Sequence, residues 1–186
     1  MFKNFLMARN ITNLKVLVTA ALFSTISFVC GKFLAFNIGD TVRFSFENLP
    51  IILCGMAFGP AVGALTGLAA DIIGCILRGY AINPVLTFAA AFIGFSSGAI
   101  FNSSKKINLH IRLICTVLFC HILGSVIIKT VGLCIWYSLP FYVTLWQRII
   151  NYVIVAAAEI IILELLFKNN YFYKQLISIT GAKNGL

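Results

Sequence analysis

The sequence predicts an all-α membrane protein, a polytopic bundle of six transmembrane helices. Of its 186 residues, 61% are hydrophobic and only 10% are charged, and the mean hydropathy is +1.01. A soluble domain carries about 25% charged residues, so this chain has too few to cover a water-facing surface. The apolar residues also fall in long runs separated by short polar segments, which is the pattern of membrane-spanning helices.

The first predicted span covers residues 14–36 and follows a basic N-terminal segment. Because no small-residue cleavage site follows early, we expect this segment to remain on the protein. A polar stretch from Asn37 to Asn48 comes next, followed by an apolar region from Leu49 to Leu77 that is too long for one helix and short for two. The Gly59-Pro60 pair divides it, which predicts short helices at 46–58 and 61–78.

Three further spans complete the single predicted transmembrane domain, which comprises residues 1–186. They cover residues 83–101, 111–137 and 141–167. The polar segment FNSSKKIN separates the first two, and a tight turn at Ser138–Pro140 separates the last two. Proline and glycine at such borders stop one helix and permit the next.

The basic residues predict the orientation of the bundle. With the N-terminus inside, nine of the 14 Lys and Arg residues lie on the cytoplasmic side and three lie outside. This asymmetry predicts that both termini are cytoplasmic. The charge of +9 is distributed around the spans rather than gathered in a polar patch, so we expect no nucleic-acid binding.

Two cations lie inside predicted spans, where a charge is costly and usually faces a cavity or a partner. Lys129 precedes the Ser138–Pro140 turn and Arg148 follows it, each at a depth of about 12 Å below the outer end of its helix. Asp71 and Arg78 share a face of the third predicted helix, and Arg43 ends the first outer loop. We expect a cation-rich cavity that opens outward and suits a carboxylate-bearing solute. The alternative is a set of internal salt bridges, such as Asp71 with Lys129 or Arg148.

Polar and aromatic residues lie at the same outer level. Asn83 begins the fourth predicted helix, and Trp136 neighbours the charged layer, where it could stack on a flat ring; tryptophan at this depth is otherwise an interface anchor. Near the inner end, Glu159 and Glu164 are expected to pair with basic inner-rim residues or with a cytoplasmic partner. His121 is expected to pack or to form a hydrogen bond rather than to bind a ligand.

The sequence has no phosphate-binding glycine loop, no HExxH and no GxSxG. We therefore expect no enzyme activity, no cofactor and no metal. The six cysteines form no CxxC pair and lie in or beside apolar runs, which is typical of small buried hydrophobes. Any transport would need ion coupling or an ATPase partner.

Small residues recur at intervals of four. Gly55, Gly59, Gly63 and Gly67 form such a series, and small residues at this spacing let helix backbones approach closely in lipid. We expect them to pack the bundle internally rather than to dock another protein. The first helix carries a second set of small residues, which comprises Ala20, Ala21, Ser24 and Thr25.

The segment RFSFENLPIILCGMAFGPAVGALTGLAADIIG, from Arg43 to Gly74, resembles the signature of the substrate-binding S components of energy-coupling factor (ECF) vitamin transporters. The folate-type (FolT) family is the nearest resemblance. Its pattern of an arginine and a serine at the end of the outer loop, a proline, and then GMxFGPxxGxxxGxxAD is matched here. The matching residues are Arg43, Ser45, Pro50, Gly55, Met56, Phe58, Gly59, Pro60, Gly63, Gly67, Ala70, Asp71 and Gly74.

The resemblance implies a six-helix subunit of the bacterial plasma membrane that captures a vitamin near the outer face. It further implies delivery through a transmembrane coupling protein and two cytoplasmic ATPases, which consume the ATP. The family docks its coupling protein through an AxxxA face on the first helix, for which Ala21-xxx-Thr25 is the best match and Ala20-xxx-Ser24 lies beside it.

For folate, charge and depth suggest a role for each candidate residue. Arg43, Lys129 and Arg148 would take the two glutamate carboxylates, with Arg78 at the rim. Asp71 or Asn83 would bind the pterin edge, and Trp136 would cover the ring. Other solutes such as biotin, pantothenate or a queuosine precursor remain open, as does a purely structural membrane subunit.

Overall fold

The computed structural model describes residues 14–38, 42–104 and 107–180, and within these ranges the chain is almost entirely helical. A two-stranded antiparallel ribbon interrupts the helices after the first one. The elements are α1 (Leu14–Phe33), β1 (Phe36–Ile38), β2 (Val42–Phe44), α2 (Asn48–Phe58), α3 (Pro60–Arg78), α4 (Pro84–Ser103), α5 (Leu109–Phe119), a π-helical segment (Cys120–Ile128), α6 (Lys129–Tyr137), α7 (Phe141–Lys168) and α8 (Asn170–Thr180).

The predicted all-α membrane fold is confirmed. Within the described ranges, five helical stretches are long and apolar enough to cross a bilayer: α1, α3, α4, the continuous run Leu109–Tyr137, and α7. The sixth apolar helix, α2, has 11 residues and a length of about 16 Å, roughly half of a bilayer core. All its residues except Leu49 are buried, so α2 is a half-length helix inside the bundle.

The helix ends lie within three residues of the predicted ranges 14–36, 46–58, 61–78, 83–101, 111–137 and 141–167. Local chemistry explains this agreement. Pro60 and Pro84 occupy the first turns of α3 and α4, where the missing N–H costs nothing. Asn83 caps α4 by accepting from the Val85 N–H at 3.0 Å. Gly79 ends α3 in the left-handed region, with φ 70°.

Glycine brings α2, α3 and α4 into backbone contact. A methyl group added to Gly63 would clash with the Gly94 carbonyl, and one added to Gly67 would clash with the Ala90 carbonyl. A methyl group added to Gly55 would likewise clash with the Gly94 carbonyl and the Ser97 hydroxyl. The structure thus confirms that these small residues pack the bundle internally, as small residues do in membrane helix interfaces.

Three elements were not predicted. The β1–β2 ribbon pairs Phe36 with Phe44 and Asn37 with Arg43, and the backbone of β2 lies against α7. The π-helical segment interrupts the fifth span. The segment after the last predicted span forms α8, which packs across the ends of α1 and α2 through Phe172 and Ile179.

Candidate ligand-binding site

A cavity of about 310 Å³ opens where α3, α4, α6 and α7 meet, within the size range of small-molecule sites. Five of the seven residues predicted to bind substrate line it: Asp71, Arg78, Asn83, Lys129 and Arg148. The other lining residues are Ser45, Glu47, Cys75, Tyr80, Ala81, Leu86, Leu133, Tyr137, Asn151 and Tyr152.

A smaller pocket of about 60 Å³ adjoins this cavity and reaches between α1, α2 and α3. The two share Glu47, Asp71, Arg78 and Lys129 among their lining residues. Ser27, Phe28 and Ile51 complete its inner wall. These four charged residues therefore lie between the large cavity and the small pocket.

Lys129, the first residue of α6, is buried, with 7% of its surface exposed. Its Nζ donates to Glu47 Oε1 at 3.2 Å and to Asn48 Oδ1 at 3.3 Å. A charge in the bundle interior needs such partners, because burial removes its hydration. Lys129 thus brings a positive charge to the cavity wall with its position held by two acceptors.

Arg148 is half-buried on α7 and is held by its neighbours. Its Nε donates to the Ser125 carbonyl at 3.0 Å, and Nη2 donates to the Tyr152 hydroxyl at 3.4 Å. The guanidinium carbon also lies 5.4 Å from the centre of the Tyr152 ring, within cation–π range. The two cations predicted to lie at one depth therefore line the same cavity, on adjacent antiparallel helices.

The other predicted polar residues of the cavity already contact neighbouring residues of the bundle. Asp71 Oδ2 accepts from the Thr87 hydroxyl at 2.6 Å. Asn83 uses its carbonyl oxygen to cap α4 and its amide to donate to the Gly132 carbonyl at 3.3 Å. Arg78 lies over the ring of Phe28, with 5.7 Å from its guanidinium carbon to the ring centre.

The expected alternative was a salt bridge from Asp71 to Lys129 or Arg148, and the structure shows other partners for Asp71 and Lys129. Lys129 pairs with Glu47, whereas Asp71 is bonded to Thr87. The cavity lining contains three cations, Arg78, Lys129 and Arg148, against two carboxylates, Glu47 and Asp71. A net positive charge remains, which favours an anionic solute.

Trp136 does not line the cavity with the other predicted residues. It is 48% exposed on the surface of α6, while the next residue, Tyr137, faces the cavity. Arg43 lies in β2, and its side chain falls outside what the structure describes. Stacking by Trp136 and carboxylate binding by Arg43 stay predictions.

Sequence reasoning did not single out Asn151 and Tyr152, which line the cavity, or Asn48, which lines the smaller pocket. Tyr152 lies four residues after Arg148, which places it on the same helix face. The sequence spacing therefore could have predicted its contact with Arg148. Asn48, with no exposed surface, reads from the sequence as the end of a polar loop. In the described ranges, no group of three or more His, Cys, Asp and Glu residues could hold a metal ion.

The sequence matches the model of the family described as "ECF transporter, substrate-specific component" over residues 15–173. This chain belongs to that family. The match covers the helical bundle from α1 into α8, so the cavity described above belongs to the substrate-specific (S) component of a transporter.

Individual relatives agree with this assignment. The S component is 28% identical over 96 residues to a curated protein named "Folate transporter FolT" from Clostridium novyi (strain NT). That match covers 50% of this chain and 54% of the relative, so the chain spans about half the length of the curated relative it matches.

Solved structures share the fold. A crystal structure of FolT bound with folic acid matches with a TM-score of 0.69 and 24% identity, covering 86% of this chain and 95% of that one. The S component for biotin from an ECF-type transporter matches with a TM-score of 0.64 and 20% identity, covering 87% and 95%. At these identities the likeness establishes the fold.

The structure separates the two candidate docking pairs on α1 of this S component. Ala20 and Ser24 are buried, and the Ser24 hydroxyl donates to the Thr66 carbonyl of α3 at 3.1 Å. Ala21 and Thr25 lie about 100° away around the helix and are exposed. Of the two pairs, Ala21-xxx-Thr25 is therefore the one at the surface of the bundle.

The expectation for Glu159 was wrong. Its side chain has no exposed surface, and Oε2 lies 2.7 Å from Nε2 of His121, deep in the bundle. Glu164 is nearer the surface and contacts His110, with 3.1 Å between Oε1 and Nδ1. His121 forms hydrogen bonds, as expected.

Proposed function

We propose that this S component binds folate at the outer side of the membrane and delivers it to a transmembrane coupling protein and two cytoplasmic ATPases. The observation that carries the proposal is the cavity where Lys129 and Arg148 face a common space with net positive charge. Folate carries a glutamate tail with two carboxylates, and charge-assisted hydrogen bonds to such groups are stronger than neutral ones.

The cavity also suits the other end of folate. A flat pterin ring has hydrogen-bonding edges, which Asp71, Asn83 and Asn151 could satisfy, and Tyr80, Tyr137 and Tyr152 supply aromatic surface. The named FolT relative and the FolT structure with folic acid support the choice of vitamin. Arg43 lies in β2, whose backbone lies against α7, the helix that carries Arg148.

Transport follows from the family. The sequence contains no nucleotide-binding loop, so the energy would come from the partner ATPases, and the exposed Ala21-xxx-Thr25 face of α1 would contact the coupling protein. The nine-to-three distribution of basic residues supports cytoplasmic termini and a cavity that opens to the outside.

The direct test uses the purified protein in detergent. Mass spectrometry of the released ligand, followed by calorimetric titration with folic acid, is expected to give folate and saturable binding. Biotin serves as the competitor, because an S component for biotin has the same fold. If the protein binds biotin but not folic acid, biotin replaces folate as the proposed vitamin. If it binds neither, the proposal is wrong.

A further inference from the structure

A chain of hydrogen bonds leads from the cavity wall into the interior of the bundle. Lys129 Nζ lies 3.3 Å from Asn48 Oδ1, and Asn48 Nδ2 lies 3.1 Å from Ser125 Oγ. Ser125 Oγ is 3.3 Å from His121 Nδ1, and His121 Nε2 is 2.7 Å from Glu159 Oε2. All five residues are buried, with exposures from 0% to 7%.

The ammonium at one end determines the direction of the first two bonds. Lys129 can only donate, so Asn48 must turn its carbonyl oxygen toward Lys129 and its amide toward Ser125. Ser125 Oγ accepts from Asn48, and among the described residues its own proton has His121 Nδ1 as acceptor. As a neutral imidazole, His121 therefore carries its ring proton on Nε2.

The carboxyl at the other end requires the same order. Glu159 Oε2 accepts from His121 Nε2–H, and this bond leaves Nδ1 as the acceptor for Ser125. All four bonds thus donate away from the cavity, and bonds aligned in this way polarise and strengthen one another.

We propose that His121 and Glu159 are positioning residues for the ligand cavity, acting through Ser125 and Asn48 to hold the ammonium of Lys129 at the wall. Without the acceptor at Glu159, His121 is free to change tautomer, and the Ser125 hydroxyl then loses its acceptor. The Ser125 hydroxyl would then donate to the carbonyl oxygen of Asn48 instead. This turns the Asn48 amide toward Lys129, and two donors that face each other repel.

The second cation is attached to the same chain. The Ser125 carbonyl accepts from Arg148 Nε at 3.0 Å. The His121 ring also stacks on Tyr152, with centroids 5.1 Å apart and planes at 30°, and Tyr152 contacts Arg148. His121, which does not itself line the cavity, therefore supports both cations. This inference rests on the proposed function only in taking the solute to carry carboxylates.

A ligand-free experiment tests the positioning role separately from the proposed vitamin. The purified protein is reductively methylated with formaldehyde and cyanoborohydride, and the rate at Lys129 is followed by peptide mass spectrometry, with exposed Lys174 as internal reference. Ser125→Ala, His121→Phe and Glu159→Leu are each expected to raise the Lys129 rate about tenfold, the factor for losing one hydrogen bond to a charged group.

Two variants control for a merely structural effect. Glu159→Gln keeps an acceptor for His121 and is expected to restore the wild-type rate. Thr116→Val removes a buried hydroxyl bonded to the Arg112 carbonyl at 2.7 Å on the same continuous helix, outside the chain. It is expected to lower thermal stability but to leave labelling of Lys129 unchanged.

The same variants are then titrated with folic acid. Ser125→Ala, His121→Phe and Glu159→Leu are expected to bind about tenfold more weakly, with Glu159→Gln and Thr116→Val at wild-type affinity. Wild-type protein that binds no folic acid would count against the proposed function, and the labelling would still decide the positioning role. Wild-type labelling of Lys129 in Ser125→Ala, the smallest change, would overturn the inference even if the larger substitutions fail to fold.

Discussion

The ammonium of Lys129 lies 3.2 Å from the carboxylate of Glu47, joining the first turn of α6 to the residue that precedes α2. Lys129 is almost fully buried, while the Glu47 side chain is 32% exposed. A solute carboxylate entering the cavity therefore meets a lysine whose existing counter-ion stands on the open side. Competition between Glu47 and the solute for Lys129 makes several outcomes predictable.

Lys129→Met should weaken folic acid binding by about tenfold to a hundredfold, because a charge-assisted hydrogen bond contributes about 1.5–3 kcal/mol. Methionine keeps a similar apolar stem, so the variant tests the charge. Calorimetric titration in detergent measures the effect. Unchanged affinity would exclude Lys129 from the solute site.

Glu47→Gln should have the opposite effect on binding. Removing the carboxylate leaves Lys129 without its counter-ion, which lowers stability in thermal unfolding. The cavity gains positive charge, so we expect affinity for folic acid to be retained or raised. Loss of both stability and affinity would instead indicate that the pair is purely structural.

Arg148→Ala should reduce folic acid affinity by at least about tenfold. Tyr152→Phe is its companion, because it removes the hydroxyl bonded to Nη2 at 3.4 Å and leaves the ring under the guanidinium. We expect a smaller loss for Tyr152→Phe, and none for the control Lys168→Ala at the far end of α7. Equal losses in Arg148→Ala and Lys168→Ala would point to a nonspecific charge effect.

Gly63→Ala should destabilise the bundle by about 1–3 kcal/mol, as in an overpacked core, because its added methyl group would meet the backbone of α4 at Gly94. Gly74→Ala is the matched control on α3, since its nearest neighbour would be a Phe28 ring carbon at 3.9 Å. Thermal unfolding in detergent compares them. Equal midpoints would contradict the close approach of α3 and α4.

Ala21→Trp should abolish assembly with the coupling protein while leaving folic acid binding intact, because Ala21 is exposed and is not among the residues that line the cavity. Val153→Trp, on the 65% exposed position of α7, is the control for a bulky lipid-facing residue. Co-purification with the ECF partners measures assembly. Normal assembly of Ala21→Trp would move the docking surface away from this face.

Much of the fold was predictable because its determinants are local. Apolar runs of spanning length, the Gly59-Pro60 break and the Ser138–Pro140 turn mark helix borders directly in the sequence. The helix α8 was missed because its apolar side is recognisable only beside the α1 and α2 ends that it covers. Helix α2 was predicted as a span, although its 11 residues are buried among other helices.

The sequence predicted how deep the site residues lie along their helices, but not which way their side chains point. Counting residues from a turn placed Lys129 and Arg148 at one level, and both line the cavity. The same counting could not distinguish Trp136 from Tyr137, since adjacent helical residues point about 100° apart. Nor could it separate Ala20 from Ala21, one of which is buried and the other exposed.

The sequence by itself determined that the chain enters the membrane, where the six apolar helices begin and end to within three residues, and that Lys129 and Arg148 lie at one depth inside two of them. These properties depend on hydropathy, turn residues and position along a helix, all of which are short-range. Only the tertiary structure decided that Lys129 pairs with Glu47 rather than Asp71, and that Glu159 lies against His121. The rotation and register of packed helices set those partners, and both depend on contacts between residues far apart in the chain.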